Sequence, residues 1–231
     1  MRADDIRFNK CIRTKNRPIH MGLRCEMHNG IYAFVTQHDF HHVLRVLRTA
    51  EQLAATEGAD LEIIRAAVLL HDVEGATPEG ENRHDHHHSS AKFAYRILEE
   101  EGWSEERINA VQHCILAHRF RGDSNPPETI EAKILFDSDK LDVLGAIGIA
   151  RVIAYAALAG TPFYFPPSQK FLTTGKEESG EPHSAYHEHL FKLRKVPERM
   201  FTTTAKSMAA ERLKILDNFF DQLIQESDGR E

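Results

Sequence analysis

Residues 61–73 read LEIIRAAVLLHDV. After the first turn nearly every position is apolar, which predicts a helix that is buried on all sides at the centre of the fold. His71 and Asp72 lie at its C-terminal end. Burial of a carboxylate costs free energy unless the group is paired or binds a metal ion. Because imidazole nitrogen and carboxylate oxygen both bind divalent cations, the pair indicates a metal site. Ordinary hydrogen bonds at a helix end are the alternative.

The rest of the chain reads as helices separated by breaks that contain Gly, Pro or Asn. A chain of 231 residues with 41% hydrophobic and 28% charged residues is long enough to bury one core. We therefore predict an all-α fold, a single-domain helical bundle. Apart from 61–73, the predicted helices cover about 38–56, 89 or 90 to 101, 104–118, 128–159, 184–196 and 202–226.

Charge and cysteine content exclude several classes of protein. The net charge of −6 argues against general nucleic-acid binding, which needs a basic surface. Three Cys do not make a disulfide scaffold, and they predict a cytoplasmic location. The stretch 143–160 is long enough to cross a bilayer, but Arg151 lies at its middle and Ala and Gly supply much of its apolarity. We interpret it as a buried helix, with no membrane role.

Two further histidines project towards the core when helical positions are placed about 100° apart. In the 38–56 helix, His42 lies at the edge of the apolar stripe and His41 points to solvent. In the predicted helix over 104–118, His118 lies on the inner, apolar stripe and His113 lies on the outer side. A core-edge histidine with one hydrogen bond is the alternative interpretation for His42.

An acidic segment follows in residues 134–144, ILFDSDKLDVL. Asp137 and Asp139 both project among apolar residues, whereas Asp142 projects to the polar side with Glu131 and Ser138. Periodicity does not choose between Asp137 and Asp139.

The order His42, His71-Asp72 and Asp139 resembles the metal-binding signature of the HD superfamily, which are all-helical, metal-dependent phosphohydrolases. The local contexts are also similar, and the C-terminal segments resemble those of small, single-domain bacterial and archaeal members. The matched contexts are HDFHHVLRV (38–46), AAVLLHDV (66–73), AKILFDSDKLDVLGAIGIAR (132–151), SAYHEHLFKL (184–193) and TTTAKSMAAERLKILDNFF (202–220). The resemblance assigns the last ligand to Asp139.

The resemblance implies a divalent ion (Mn, Mg, Fe, Ni, Co or Zn) held by His42, His71, Asp72 and Asp139. Such an ion would lower the pKa of a water molecule and draw charge from a phosphoryl group, so the implied reaction is hydrolysis of a phosphate ester or anhydride. A nucleotide is the implied substrate.

Acid–base and phosphate-binding roles have their own candidates. Glu74, near Asp72 at the rim, is the first candidate for general acid or base, with Asp72 beside it; an exposed loop carboxylate is the alternative. The segment Val73-Glu74-Gly75 departs from the small pair usual after the His-Asp pair, which puts this assignment in doubt. Candidates for phosphate contact are Arg45, Lys140 and Arg119, with solvated surface charge as the alternative.

Some members of the superfamily bind a second ion through extra histidines. Candidates for a second-metal or substrate contact are His86, His87 and His118; a solvated loop and a core histidine are the alternatives. Two other functions remain open: a metal- and nucleotide-binding regulatory module with little turnover, and oxygen chemistry at a two-iron centre.

The domain division places an N-terminal extension at 1–35, the HD domain at 36–226 and a disordered tail at 227–231. The extension contains Cys11, His20, Cys25 and His28, whose spacing is a weak indication of zinc. The Pro- and Gly-rich segment 161–183 contains Phe163, Tyr164 and Phe165, which either stack on a base or form a surface loop or a homodimer contact.

Overall fold

The computed structural model describes residues 12–13, 18–19, 40–73, 86–120 and 125–230. In these ranges it contains nine α-helices: α1 Phe40–Glu57, α2 Leu61–Leu70, α3 His86–Glu100, α4 Glu105–Ala117, α5 Ile130–Leu141, α6 Gly145–Ala159, α7 Gln169–Thr174, α8 Ala185–Phe191 and α9 Thr203–Ser227. Two 3-10 turns, Leu193–Lys195 and Pro197–Arg199, precede α9. A two-residue antiparallel pair joins β1 Ile12–Arg13 to β2 Pro18–Ile19. The prediction of an all-α fold is confirmed, with this pair as a minor exception.

Helix α2 is the centre of the bundle, as its apolar sequence predicts. It contacts α1, α3, α4 and α5. The side chain of Asp60 caps its N-terminus by accepting hydrogen bonds from Glu62 N at 2.8 Å and Ile63 N at 3.2 Å. The helix ends at Leu70, earlier than the predicted end at 73, so His71 and Asp72 lie in the turn that follows.

The predicted continuous helix over 128–159 is wrong, because the chain breaks after Leu141 and α6 starts at Gly145 with a bend of 59°. Gly145 adopts a φ of +68°, in the left-handed region that favours glycine. At Gly148 an added Cβ would lie 2.2 Å from the carbonyl oxygen of Val143. Two glycines therefore let the chain turn tightly between α5 and α6.

Among the described residues, α5 and α6 together have the length and composition of a membrane span, but they are bent by 59° at the break between them. Within the described ranges no single helix is both long and apolar enough to cross a bilayer. Arg151, which made a span unfavourable, lies half-buried on α6.

The C-terminal helices form a second packed group beside α5. Helix α9 packs along α6, and α8 packs on α9 through the stacked rings of His189 and Phe220, whose centroids are 4.5 Å apart. The predicted helix over 184–196 is divided into α8 and the first 3-10 turn.

The 161–183 segment contains the short helix α7 and is tied to α8 at both ends. Its Tyr164 packs on Tyr186 of α8, with ring centroids 5.6 Å apart, while Phe163 and Phe165 are exposed. Glu181 accepts hydrogen bonds from Ser168 N at 2.7 Å and from His187 Nε2 at 3.0 Å. These contacts hold the segment against α8.

Candidate metal centre

Four helix ends bring imidazole and carboxylate groups together at the C-terminal end of α2. His42 comes from the first turn of α1, and His71 and Asp72 follow α2. His118 is the C-cap of α4, and Asp139 lies in the last turn of α5. The imidazoles of His42, His71 and His118 are all buried.

Three residues of this cluster have donor atoms close enough together to share one small ion. His42, His71 and Asp72 each offer a ligand atom within 4.8 Å of the others. His42 Nε2 is 3.3 Å from Asp139 Oδ1, and His71 Nε2 is 3.2 Å from Asp72 Oδ2. Since ligand bonds to such ions are about 2 Å long, donors around one ion stand about 3–4 Å apart. His118 Nε2 lies at the margin, 3.6 Å from the other Asp72 oxygen, Oδ1.

The orientation of the imidazoles fits a metal ion as well as their spacing does. His71 Nδ1 donates to the Val68 carbonyl at 2.7 Å, and His118 Nδ1 donates to the Ile115 carbonyl. A carbonyl oxygen only accepts, so Nδ1 carries the hydrogen and the Nε2 lone pair faces the cluster. His71 Nε2 is buried and has no hydrogen-bond partner within the described part of the chain. Buried imidazole nitrogens held in this way beside carboxylates are the donor set of a divalent cation.

The electrostatics of the cluster favour a positive charge at its centre. Burial lowers the pKa of His42, but hydrogen bonds to Asp139 and Asp142 and their charges outweigh this and raise it to about 9. Burial raises the pKa of Asp139, but the Lys140 ammonium and the hydrogen bond from His42 hold it well below its usual range. At neutral pH a proton therefore occupies His42 when no ion is bound, and a divalent ion must displace it.

Asp142 lies inside this site, and the prediction that it points to the polar side is wrong. It is buried, and its Oδ2 accepts a hydrogen bond from His42 Nδ1 at 2.7 Å. Ser138, predicted on the same polar side, is also buried. The projection compares only the sides of one helix, but α1, α2, α4 and α9 all pack on α5, so its polar side is buried as well. The Arg151 side chain in the apolar 143–160 stretch was the available signal, because it donates to Asp142 Oδ2 at 2.8 Å.

The choice between Asp137 and Asp139, which periodicity left open, follows from their contacts. Asp137 accepts hydrogen bonds from Phe201 N at 2.9 Å and from Thr202 N and Oγ1 at 2.8 Å. It therefore anchors the segment before α9 and lies away from the histidines. Asp139 faces His42 instead.

The candidates for phosphate contact take different positions. Lys140 Nζ lies 2.6 Å from Asp139 Oδ2, and its side chain is 24% exposed. Arg45 donates to both oxygens of Asp142, from Nε at 2.7 Å and from the terminal nitrogen at 2.9 Å, so it supports the site from behind. Arg119 follows His118 and is half-buried.

Among the candidates for a second ion, the His87 ring is half-buried with its centroid 6.5 Å from that of His118. His88 is exposed. Outside the described residues lie Glu74, the side chain of His86, and Cys11, His20, Cys25 and His28. His41 is exposed, as its projection predicted. His113 is half-buried and accepts a hydrogen bond from Glu128 N.

Comparisons with known proteins match the elements that carry this cluster. Residues 39–144, which include α1 to α5, match the family model of the HD domain. The chain is 33% identical over 196 residues to the uncharacterised protein YpgQ of Bacillus subtilis, covering 83% of this chain and 85% of YpgQ.

Two solved structures are also similar to this chain over most of its length. The chain is similar to the crystal structure of B. subtilis YpgQ in complex with ADP, with a TM-score of 0.62, 29% identity and coverage of 84% of this chain and 89% of that one. It is also similar to an HD-superfamily hydrolase from Bacillus thuringiensis, with a TM-score of 0.64, 31% identity and coverage of 84% and 88%.

Proposed function

Because the chain belongs to the HD-domain family, we propose that it is a metal-dependent phosphohydrolase that cleaves a phosphate ester or anhydride of a nucleotide. The observation that carries this proposal is the set of buried imidazoles with fixed Nδ1 atoms, whose Nε2 atoms converge on two carboxylates. Burial of several polar side chains at one point costs desolvation free energy, and binding of a divalent ion between them would offset that cost.

Four residues would hold the ion: His42, His71, Asp72 and Asp139. A bound divalent ion lowers the pKa of water and withdraws charge from a phosphoryl group. Lys140 stands beside Asp139 at the partly exposed edge, where its ammonium group would neutralise a non-bridging phosphate oxygen. Asp72 has one oxygen towards His71 and the other towards His118, so it would also orient the attacking water. Glu74 stays the predicted general acid or base.

A group of aromatic and basic side chains beside Lys140 favours a nucleotide over a simpler phosphate ester. Lys140 Nζ lies 5.3 Å from the centroid of the buried Phe136 ring, and the half-buried Phe201 ring lies 5.1 Å from Phe136. Arg199 is exposed, and its guanidinium carbon lies 5.5 Å from the Phe136 centroid. Phosphates beside Lys140 would place a base near Phe201, since bases stack on aromatic rings. The crystal structure of YpgQ in complex with ADP also supports a nucleotide as the ligand.

The test is product release under multiple turnover from nucleoside mono-, di- and triphosphates with added Mn²⁺. We expect Asp72→Ala and His42→Gln to reduce the rate of product release by more than about 100-fold, because even loss of a residue that only supports a metal ligand reduces activity by about 10–100-fold. His41→Gln is the matched control, since His41 is the exposed neighbour of His42 and we expect it to retain full activity. The product, phosphate or pyrophosphate, identifies the bond that is cut.

Two outcomes would contradict the proposal. Release that is equal in wild type and Asp72→Ala would exclude catalysis at this cluster. Binding of Mn²⁺ and of a nucleotide without product beyond one equivalent per chain would indicate a regulatory module. We expect the protein to act in the cytoplasm, and a homodimer stays a prediction.

A further inference from the structure

The three imidazoles of the site differ in what holds their Nδ1 atoms. His71 and His118 each donate to a carbonyl three residues earlier in their own helix, so the local backbone fixes their rings. His42 instead donates to Asp142 Oδ2, a side chain 100 positions away in the sequence. The orientation of His42 therefore depends on tertiary structure in a way that the other two orientations do not.

Asp142 is itself held rigidly. Arg45 donates to both of its oxygens, and Arg151 donates to Oδ2 at 2.8 Å. The Asp142 side chain is 5% exposed, so these contacts are shielded from water. One carboxylate oxygen thus accepts hydrogen bonds from His42, Arg45 and Arg151. The two guanidinium groups neutralise the buried negative charge and hold the carboxylate beside His42.

The two ring nitrogens of His42 face two carboxylates from one short segment. Asp139 Oδ1 lies 3.3 Å from Nε2, and Asp142 Oδ2 lies 2.7 Å from Nδ1. Asp139 and Asp142 are three positions apart, and Asp142 keeps a right-handed helical conformation as the C-cap of α5, so both carboxylates reach the same ring.

We propose that Asp142 is a positioning residue for metal binding, which holds the His42 ring and its Nδ1 hydrogen so that the Nε2 lone pair faces the ion, with Arg45 and Arg151 fixing Asp142 in turn. The inference rests on the proposed metal site. Asp142 is not a ligand, because it binds the side of the ring opposite to the cluster. Loss of the Asp142 side chain should therefore reduce the affinity for the ion by about 10–100-fold, which is typical for residues that hydrogen-bond to a metal ligand. All the proposed ligands themselves stay in place.

The experiment is a Co²⁺ titration followed by absorption, which reports both the affinity and the coordination geometry of the ion without any substrate. The variants are Asp142→Ala, Asp142→Asn and the ligand variant Asp139→Ala. The matched control is Asp137→Asn, a buried carboxylate on the same helix that contacts Thr202 and not the histidines. Thermal unfolding of each variant without metal records any loss of stability.

We expect Asp137→Asn to bind Co²⁺ like the wild type and Asp142→Ala to bind about 10–100-fold more weakly, with an altered visible spectrum. Asp142→Asn should lie between them, because its amide oxygen still accepts from His42 but loses the ion pairs. If Asp142→Ala fails to fold, Arg151→Met provides the second test, since it loosens Asp142 and leaves the hydrogen bond to His42. It should weaken Co²⁺ binding severalfold, whereas the Asp137→Asn control should bind Co²⁺ like the wild type.

Failure of the inference can be told from failure of the proposed function. If Asp139→Ala loses Co²⁺ while Asp142→Ala, or Arg151→Met in its place, retains wild-type affinity and spectrum, the metal site stands and the positioning role of Asp142 is refuted. If Asp139→Ala binds as the wild type does, the metal site itself is wrong, and the inference falls with it.

Discussion

Asp137 and Asp139 lie two positions apart on α5 and face in different directions. Asp137 Oδ2 accepts a hydrogen bond from Thr202 Oγ1 at 2.8 Å, whereas Asp139 Oδ1 lies 3.3 Å from His42 Nε2. Two residues along a helix correspond to a rotation of about 200°. One face of α5 therefore contacts the start of α9, and the opposite face contacts the histidine cluster. One carboxylate supports the fold, and the other belongs to the candidate site.

Replacement of Asp137 should reduce stability without altering metal binding. Asp137→Ala leaves the backbone N–H groups of Phe201 and Thr202 without their acceptor, and a buried donor left in this way costs about 1–3 kcal/mol. We expect the free energy of unfolding in urea to fall by about that amount or somewhat more. A loss of Co²⁺ affinity at unchanged stability would contradict this assignment.

Lys140 should contribute to phosphate binding and not to metal binding. A hydrogen bond to a charged group contributes about 1.5–3 kcal/mol, so Lys140→Met should raise KM for the nucleotide by about 10–100-fold. Because Lys140 lies 2.6 Å from Asp139, its removal leaves more negative charge for a cation. Isothermal titration should therefore show Mn²⁺ binding at least as tightly as in the wild type. Weaker Mn²⁺ binding in Lys140→Met would show that the lysine organises the ligands instead.

Phe201 should distinguish substrates that have a base from those that lack one. Stacking of a base on an aromatic ring contributes about 1–3 kcal/mol, so Phe201→Ala should raise KM for nucleoside phosphates by about 5–150-fold. Inorganic tripolyphosphate, which has no base, should be unaffected. The control is Phe163→Ala, an exposed aromatic in the 161–183 segment. An effect confined to Phe163→Ala would instead place the base at that segment.

Glu181 should make the stability of the folded protein depend on pH in the acid range. Burial raises its pKa, but hydrogen bonds from His187, from Ser168 and from the N–H of Glu178 outweigh this and lower it from 4.5 to about 2. A lowered folded-state pKa stabilises the protein above the unfolded value, and this stability is lost as the pH falls from about 4.5 to about 2.

The measurement is the unfolding midpoint between pH 2 and pH 6 for wild type and Glu181→Gln. We expect the variant to be less stable at pH 6 and to lose less stability on acidification, so the two curves converge near pH 2. Parallel curves over this range would show that Glu181 does not titrate with folding.

Hydrophobic periodicity in the sequence was sufficient to predict the helical bundle and part of the candidate site. The apolar run of 61–73 predicts the central helix, and the family resemblance is confirmed by the match over residues 39–144. The projections also place His42 and His118 on buried faces, and both are buried in the structure. These predictions succeed because each depends on one continuous helix, in which position fixes direction.

The contacts of Asp142 could not be predicted in this way. Its burial depends on the helices that pack on α5, and its partners Arg45 and Arg151 come from α1 and α6, which no single-helix projection includes. The choice between Asp137 and Asp139 also needed tertiary structure, because both are flanked by apolar residues and only their partners on α9 and α1 differ.

The proposed ligands lie at helix ends, so a bound ion would link several helices of the bundle. His42 opens α1, His71 and Asp72 follow α2, and Asp139 closes α5, so one small cation would tie together segments that are distant along the chain. An unfolded chain would have to bring those segments together before it could bind, which confines tight binding to the folded form. A ligand present at 100 times its Kd then adds about 2.7 kcal/mol to stability. Metal supply would thereby set the lifetime of the folded protein as well as its activity, and a metal-starved cell would hold a less durable pool of it.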